Sequence, residues 1–408
     1  MSMVSERFNG RSFSPNAAAA PERNGEQPLS VMKRSEIEAL PLWARTFAHL
    51  RKDRRYYEIV EDTICPEFDF RYFGVRDGSG QICAIQPFFL LDQDLLAGVG
   101  QKVQAFAEAV RRVWPQFLKM KTLMVGCGAG EGHLTGEDNA ARGPQAEVLA
   151  ANITRLARQQ KAGLIVLKEF PSEYRSALSC FRQYGFTCVP SMPMTRLDIA
   201  NYSSFEDYLS KAIKAKRRTE FRRKFKAAEQ AGGIELEVTS NAEGVIDEIY
   251  VLYEQVYERS ALKFEKLTKS YLREIGRRMP DKARFFLWRK DGKIIAFSLC
   301  LIQGDALYGE YLGLDYSIAL DLHLYFYVMR DTIAWAIANK FKSILSTSLG
   351  YAPKLQMRHV LEPLDLYIRH TSPVLNAVFR RILPLLEPTR NDPVLRNFPN
   401  YPDLRAET

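Results

Sequence analysis

The chain repeats itself. Residues 71–90 read RYFGVRDGSGQICAIQPFFL, and residues 284–301 read RFFLWRKDGKIIAFSLCL. Each is an aromatic and β-branched run, an Asp-Gly pair (Asp77-Gly78 and Asp291-Gly292) and a second apolar run. Asp-Gly between two such runs signals a β-hairpin, because glycine takes up positive φ in a tight turn without a Cβ clash. After each copy a helix pattern and then a short strand are expected. In the first copy these fall near Val103–Val113 and at Leu164–Leu167. In the second, Leu322, Phe326, Met329, Ile333 and Ile337 recur at helical spacing, and Ile344-Leu345 follows. A shared order of elements constrains the fold more than one hairpin does. It predicts two similar α/β (α+β) domains in tandem, at about 34–200 and 201–385. Residues 1–33, rich in Ser, Asn, Pro, Gly and Ala, read as a flexible tail, and 386–408 as a Pro-rich tail that wraps the surface.

Finer patterns fill in the first domain. Leu149, Ile153 and Leu156 mark a helix leading into a strand at 163–168, and a further helix from Ser172 is closed by Gly185 as its C-cap. The strand Met194–Ile199 leads into one uninterrupted helix pattern from about Phe205 to Gln230, stopped by Gly232-Gly233. This last segment holds the charge. The formal net charge is +9, and residues 211–226 carry nine basic side chains against one acid, Glu220. The rest of the chain is close to neutral, which excludes a uniformly basic nucleic-acid coat. Two readings remain for 211–226: a linker helix paired to acids of both domains, or contact with a polyanion such as coenzyme A, aminoacyl-tRNA or an anionic lipid-linked substrate. Its apolar seam, through Leu209, Ile213, Phe221 and Phe225, is too narrow for membrane insertion. The best apolar run, Ile294–Ile302, falls well short of the ~20 residues that span a bilayer, and the N-terminus has no apolar leader segment. Six cysteines without a C-x-x-C and five scattered histidines predict neither a metal site nor a disulfide framework. A reducing cytoplasm is the expected setting.

Three stretches resemble a known family. They are the Tyr-x-x-x-Gly-Phe-like end of the element at 174–186, FEDYLSKAIKAKRRTEFRRKFKAAEQAGGIELEV at 205–238, and LYGEYLGLDYSIALDLHLYFYVMRDTIAWAI at 307–337. Together they resemble the GNAT acyltransferase superfamily in the tandem arrangement of FemABX-like aminoacyl transferases. Within that arrangement they are similar to a bacterial family linked to peptidoglycan biosynthesis and recognition. The resemblance covers roughly residues 65–370. It implies two GNAT-like domains joined by a basic helix. It also implies transfer of an acyl or aminoacyl group from acyl-CoA, or from aminoacyl-tRNA, to an amine on a small molecule or cell-envelope precursor. The chain departs from the superfamily at the pyrophosphate loop Q/R-x-x-G-x-G/A, where Gly313 alone is available before the helix near Asp321.

Several residues are candidates for the chemistry. In the strand LYGEYLG, alternation puts Tyr308 and Glu310 on one face, opposite Gly309 and Tyr311. A carboxylate on a central strand is either ion-paired, for instance to Arg289, or a general base for the attacking amine. Tyr308, Tyr311 or Tyr351 would then protonate the leaving group. His323, beside Asp321 at a helix start, is a second candidate base or simply a cap. Lys354, in LGYAPKLQMRH, matches the family's lysine after its last strand. With Tyr351, Asp321, Arg217, Arg218 and Arg222 it makes up the anion- and donor-binding set; otherwise it is a solvated loop charge. MVGCGAGEGH at 124–133 resembles the Gly-rich loop of S-adenosylmethionine methyltransferases, but no helix is expected before about residue 143, so a cleft-lining or surface loop is favoured. The rival to an enzyme is a non-catalytic, anion-binding scaffold docking on RNA or a membrane surface. An open donor pocket favours the enzyme and a filled one the scaffold.

Overall fold

The computed structural model describes residues 27–64, 66–94, 119–136, 138–230, 232–260 and 263–405. Of the flexible tail expected at 1–33, the part up to residue 26 lies outside the described residues, as do the helix expected near Val103–Val113 and Cys65, whereas Leu29–Met32 is no tail but a strand paired along Tyr72–Val75. The first half contributes strands β1 (Leu29–Met32), β2 (Asp69–Arg76), β3 (Ile82–Asp94), β4 (Lys119–Val125), β5 (Leu164–Pro171), β6 (Thr187–Pro190) and β7 (Met194–Asp198). The second contributes β8 (Ile234–Thr239), β9 (Ala283–Lys290), β10 (Lys293–Gln303), β11 (Ala306–Leu314), β12 (Ser343–Ser346), β13 (Val360–Glu362) and β14 (Leu364–His370).

These strands form two sheets, ordered β1-β2-β3-β4-β5-β14-β6 and β13-β7-β12-β11-β10-β9-β8. Strands β1–β6 and β8–β13 therefore follow one order, and each half sends its last strand into the other sheet. β14 lies between β5 and β6, and β7 lies between β12 and β13. The chain thus enters the second sheet at β7, ahead of the basic helix rather than through it. Both predicted hairpins are present. In the second, Lys290 pairs with Lys293, and Asp291 and Gly292 both have positive φ (51° and 77°), the geometry of a two-residue turn that matches strand twist.

Helices cover the sheets: α1 (Arg54–Thr63), α2 (Asn139–Gln159), α3 (Phe205–Ala212), α4 (Ala215–Gln230), α5 (Ile246–Arg259), α6 (Lys269–Arg278), α7 (Leu324–Ala338), α8 (Tyr351–Gln356) and α9 (Pro373–Leu386). α2 starts earlier than the expected residue 143, because the Asp138 carboxylate accepts from the Ala141 N–H and caps it. The helix pattern over 205–230 is broken. Ile213 is buried and extended (φ −104°, ψ 127°), and the Arg218 guanidinium from α4 donates to the Leu209 and Ser210 carbonyls that end α3. A cation on the last carbonyls of a helix stabilises such a stop. Past α9, which carries Pro384 in its last turn, the chain makes short 3-10 turns that bury Leu395, Phe398 and Leu404 against Tyr351.

The halves are fused through their cores. One apolar cluster takes Tyr56, Ile59 and Phe89 from the first half and Tyr271, Ile275 and Phe297 from the second. The Tyr56 and Tyr271 hydroxyls meet at 3.0 Å, and Arg278–Glu58 and Lys282–Asp53 ion pairs (2.7 Å each) tie α1 to α6 and its following turn.

Candidate active site

β11 and β12 run parallel but pair only over Ala306–Gly309 and Ser343–Ser346. A Thr347 N–H to Gly309 carbonyl bond (3.2 Å) is the last backbone link. Leu349 and Gly350 then both take positive φ (75° and 62°) and turn the chain into α8, while β11 continues to Leu314. The strands part there, and a cavity of about 120 Å³ opens between them. Tyr325, Val328, Met329 and Ile333 of α7 wall it, and Glu310, Tyr311, Thr347, Lys354 and His359 supply its polar groups.

Lys354 is buried, and its ammonium donates to the Thr347 and Leu349 carbonyls (2.5 and 2.9 Å). Among the described residues no carboxylate pairs with it, and burial alone pulls its pKa down to about 7. His359 is buried as well, with Nδ1 3.1 Å from the Lys354 carbonyl. A carbonyl only accepts, so this nitrogen carries the proton. Burial, then the neighbouring lysine, lower the His359 pKa to about 3, so the ring is neutral.

Glu310 faces two ways. It lines the cavity, and it belongs to a buried charge knot that joins the halves. Arg51 donates to it at 2.6 Å and also bonds Glu131, while Lys52 bonds Glu131 at 2.6 Å and lies 3.4 Å from Glu310. Two cations thus balance two carboxylates, all out of contact with water. The Arg51 guanidinium also stacks 3.7 Å over the Tyr308 ring, so Tyr308 and Glu310 share a face as alternation predicts. The partner of Glu310 is Arg51 rather than Arg289, which bonds Glu237. Burial raises the pKa of Glu131, but Arg51 and Lys52 outweigh it and hold the carboxyl well below the usual range. His133 bridges Glu131 (3.1 Å) to the Tyr174 hydroxyl (3.0 Å), and burial lowers its pKa.

Glu131 and His133 come from the Gly-rich segment, and its position answers what that motif does. β4 and β5 pair as β11 and β12 do, ending at Val125 and Leu167. Where the cavity would open, the segment folds back and the Gly132 N–H bonds the Lys168 and Glu169 carbonyls (3.1 and 3.2 Å). A Cβ on Gly132 would lie 2.6 Å from the Lys168 carbonyl and 2.7 Å from the Phe170 ring, so glycine alone fits. The segment is a buried plug, and among the described residues the parting of the parallel strands is open in the second half and filled in the first.

Tyr311 is a further candidate on the cavity, and the rest lie away from it. Tyr311 donates to Glu265 (3.1 Å), and burial raises the pKa of both groups. The Tyr351 hydroxyl donates to the Pro193 carbonyl, in a separate apolar cluster. His323, left-handed (φ 48°) and exposed, precedes α7 outside the cavity. Its pKa is lowered by desolvation first and then by Lys224 and Arg223. Asp321 is exposed beside it. Arg222 pairs with Glu206, Arg217 with Glu220 (3.3 Å), and Arg218 caps α3. α4 packs on α7, Phe221 against Phe326 with Lys224 over the Phe326 ring at 3.7 Å, so the basic helix flanks the cavity wall. Of the residues singled out from the sequence, the fold brings Glu310, Tyr311 and Lys354 round one cavity. Arg51, Lys52, Glu131, His359 and Glu265 were not anticipated. Arg51, Lys52, Glu131 and Glu265 meet partners remote in the chain, so no spacing marks them, and His359, five residues after Lys354, is marked only by the burial of that turn.

The loop from β11 to α7 is where the superfamily would hold a coenzyme A pyrophosphate, through free backbone N–H groups at a helix N-terminus. Here most of those groups are occupied, and the N–H groups of Leu320, Asp321 and Tyr325 are left. The N–H of Tyr316 bonds the Gln255 side chain and that of Ser317 the Asp315 carboxylate. Those of Ile318, Ala319, Leu322, His323 and Leu324 bond carbonyls within the loop. Gly313 is taken up by packing: a Cβ there would fall 2.3 Å from the Phe297 ring and 2.7 Å from the Tyr253 backbone N. Gly313→Ala is expected to lower unfolding free energy by roughly 1–3 kcal/mol in urea titration, through this overpacking. With the remaining N–H groups clustered at the Asp321 carboxylate, the loop fits a diphosphate poorly.

A family model described as peptidoglycan biosynthesis/recognition, FemAB-like, matches residues 100–352, more than half of the chain. The chain belongs to the FemAB-like family. No curated protein matches it. Solved structures similar to this FemAB-like chain include L-PGS from Bacillus licheniformis (12% identity, TM-score 0.49, 90% of this chain and 98% of that one). They also include FemX (11%, 0.48, 78% and 91%) and a tandem GNAT protein from the clavulanic acid biosynthesis pathway (12%, 0.48, 85% and 99%).

Proposed function

We propose that this FemAB-like chain is an aminoacyl or acyl transferase acting on an amine acceptor in the cytoplasm, with aminoacyl-tRNA favoured over acyl-CoA as donor. The observation that carries the reading is the open cavity at the parting of β11 and β12, with a charge-unpaired Lys354 inside and the basic α4 along its wall. The mostly occupied amides of the β11–α7 loop, with Asp321 beside those that remain, disfavour a diphosphate there, whereas Lys214, Lys216, Arg223 and Lys226, without carboxylate partners among the described residues, suit an RNA backbone. The cavity suits a short acyl or aminoacyl group.

In the reaction proposed, the acceptor amine attacks the donor ester carbonyl, a C–N bond forms and the C–O bond to the ribose breaks. Lys354, half neutral near pH 7, takes the proton from the attacking nitrogen and returns it to the departing ribose oxygen. Glu310, committed to Arg51 and Lys52, shapes one wall instead of serving as the base. A cell-envelope amine is the acceptor class in keeping with the family's description. The test is equilibrium binding of charged tRNA and of acetyl-CoA to the purified protein. Saturable, salt-weakened binding of charged tRNA with none of acetyl-CoA is expected. Binding of neither donor would remove the transferase reading and favour the scaffold.

A further inference from the structure

The helix α8, which carries Lys354 to the cavity, is six residues long. A helix that short has little stability of its own, so its place is set by what packs on it. On the sheet side the Tyr351 hydroxyl donates to the Pro193 carbonyl (2.8 Å), and the Ser348 hydroxyl donates to the Met192 carbonyl (2.9 Å). On the other side lies the C-terminal segment 387–405. It places Leu395, Phe398 and Leu404, all buried, in one apolar cluster with Tyr351 and Leu361.

The segment is a closed strap, tied at both ends. Pro388, Pro393, Pro399 and Pro402 fix φ along it and hold it in short turns. Arg405 at its end reaches back to the buried Glu387 at its start (2.8 Å), which Arg390 also bonds (2.6 Å). Arg175 of the first half, itself paired with Asp365, donates to the Asp403 and Leu404 carbonyls (3.2 Å each). The middle of the strap grips the chain on either side of Lys354. Before it, the Phe398 ring stands edge-on to Tyr351 with 6.2 Å between centroids. After it, the Asn400 side chain accepts from the Leu361 N–H (3.0 Å) and donates to the Leu361 carbonyl (2.9 Å). These are the bonds that another strand would make at the free edge of β13. The Lys354 ammonium lies 5.8 Å from the centre of the Tyr351 ring, so one ring adjoins both the strap and the charge.

We propose that this strap, through Phe398 and Asn400, positions Lys354: it fixes the Tyr351 ring and β13 and so keeps the ammonium out of water. For the transfer reaction the inference rests on the reading of Lys354 as the proton carrier. The burial that brings this lysine to about 7 is then partly the work of the strap, and loosening the strap returns the ammonium toward ordinary lysine behaviour.

The test is an NMR titration of the full chain carrying isotope-labelled lysine, with the Lys354 signal identified by its absence from Lys354→Met. A wild-type midpoint near 7 is expected. Phe398→Ala and Asn400→Ala should each raise it by about one pH unit or more. With the midpoint one unit higher, only about a tenth of Lys354 is neutral at pH 7, so kcat there should fall roughly fivefold and recover by about pH 9. A general loss of structure would not recover with pH. Phe398→Leu, which keeps most of the packing, should retain the wild-type profile. A wild-type midpoint in the ordinary lysine range would overturn the proposal. So would an unmoved midpoint in folded Asn400→Ala, the milder change, which carries the test if Phe398→Ala does not fold. A raised midpoint with an unchanged rate would leave the hold of the strap standing and remove Lys354 from the reaction.

Discussion

Lys354→Met is expected to lower kcat for aminoacyl or acyl transfer by roughly 10²–10⁴, the range for loss of a general acid–base group. In the wild type the rate should rise as pH climbs through about 7, where Lys354 loses its proton, and then level off. The same residue makes a second expectation, on stability. Its folded pKa lies near 7 against an ordinary 10.5. Between those values the unfolded chain binds a proton that the folded chain does not, so raising the pH through this window favours folding. Below about pH 7 both states are protonated and the cost of burying the ammonium is felt in full. Urea titrations at pH 7 and pH 10 should show the wild type gaining a few kcal/mol from this group. The methionine variant should lack that gain. Retained activity in the variant would exclude the proton-shuttle role, and an unchanged pH slope would exclude the depressed lysine itself.

Arg51→Met should be the most damaging single change between the halves. It leaves Glu131 and Glu310 buried with Lys52 alone, and breaking one partner of a buried ion pair costs about 3–5 kcal/mol. Burial of these groups is nearly complete, so solvent does little to soften the loss. Adding Glu310→Gln restores the balance of one cation to one carboxylate and should return part of the stability, a coupling of roughly 1–3 kcal/mol in a double-mutant cycle. Glu131, whose pKa is held low in the knot, makes its contribution above the ordinary glutamate range, and it is lost only as pH falls through the depressed folded value. A cost below about 1 kcal/mol for Arg51→Met would show that the apolar core alone joins the halves.

What could be read from the chain, and what could not, divides by distance. The hairpin at Asp291-Gly292 was legible because its tight turn is a local event of two residues, and the first was legible as a hairpin although its turn runs over residues 77–81 with Gly80, not Gly78, at positive φ. Their repetition made the duplicated α/β plan legible too. Lys354 was legible as a residue of interest by resemblance, but not its burial, which depends on the turn at Leu349-Gly350 folding α8 over the strand end. Arg51 and Lys52 look like surface charges ahead of a helix; only Glu310, brought in by the other half, makes them core residues. The Gly-rich segment looked like a cofactor loop because glycine demand is the same whether a phosphate or the chain's own Lys168 carbonyl approaches the backbone. The break at Ile213 was hidden inside continuous helical periodicity, since a buried β-branched residue suits either state.

The exchange of β7 and β14 also sets an order of events in time. β14 spans Leu364–His370 and hydrogen-bonds on both edges, to β5 and to β6. As the ribosome emits the chain, β1 to β6 emerge early but leave β6 without a neighbour until nearly everything else has been made. Domains in most proteins close one after another during synthesis. Here the first half cannot close first: its sheet stays open between β5 and β6 through most of translation and is completed by β14, which emerges after every strand of the second sheet.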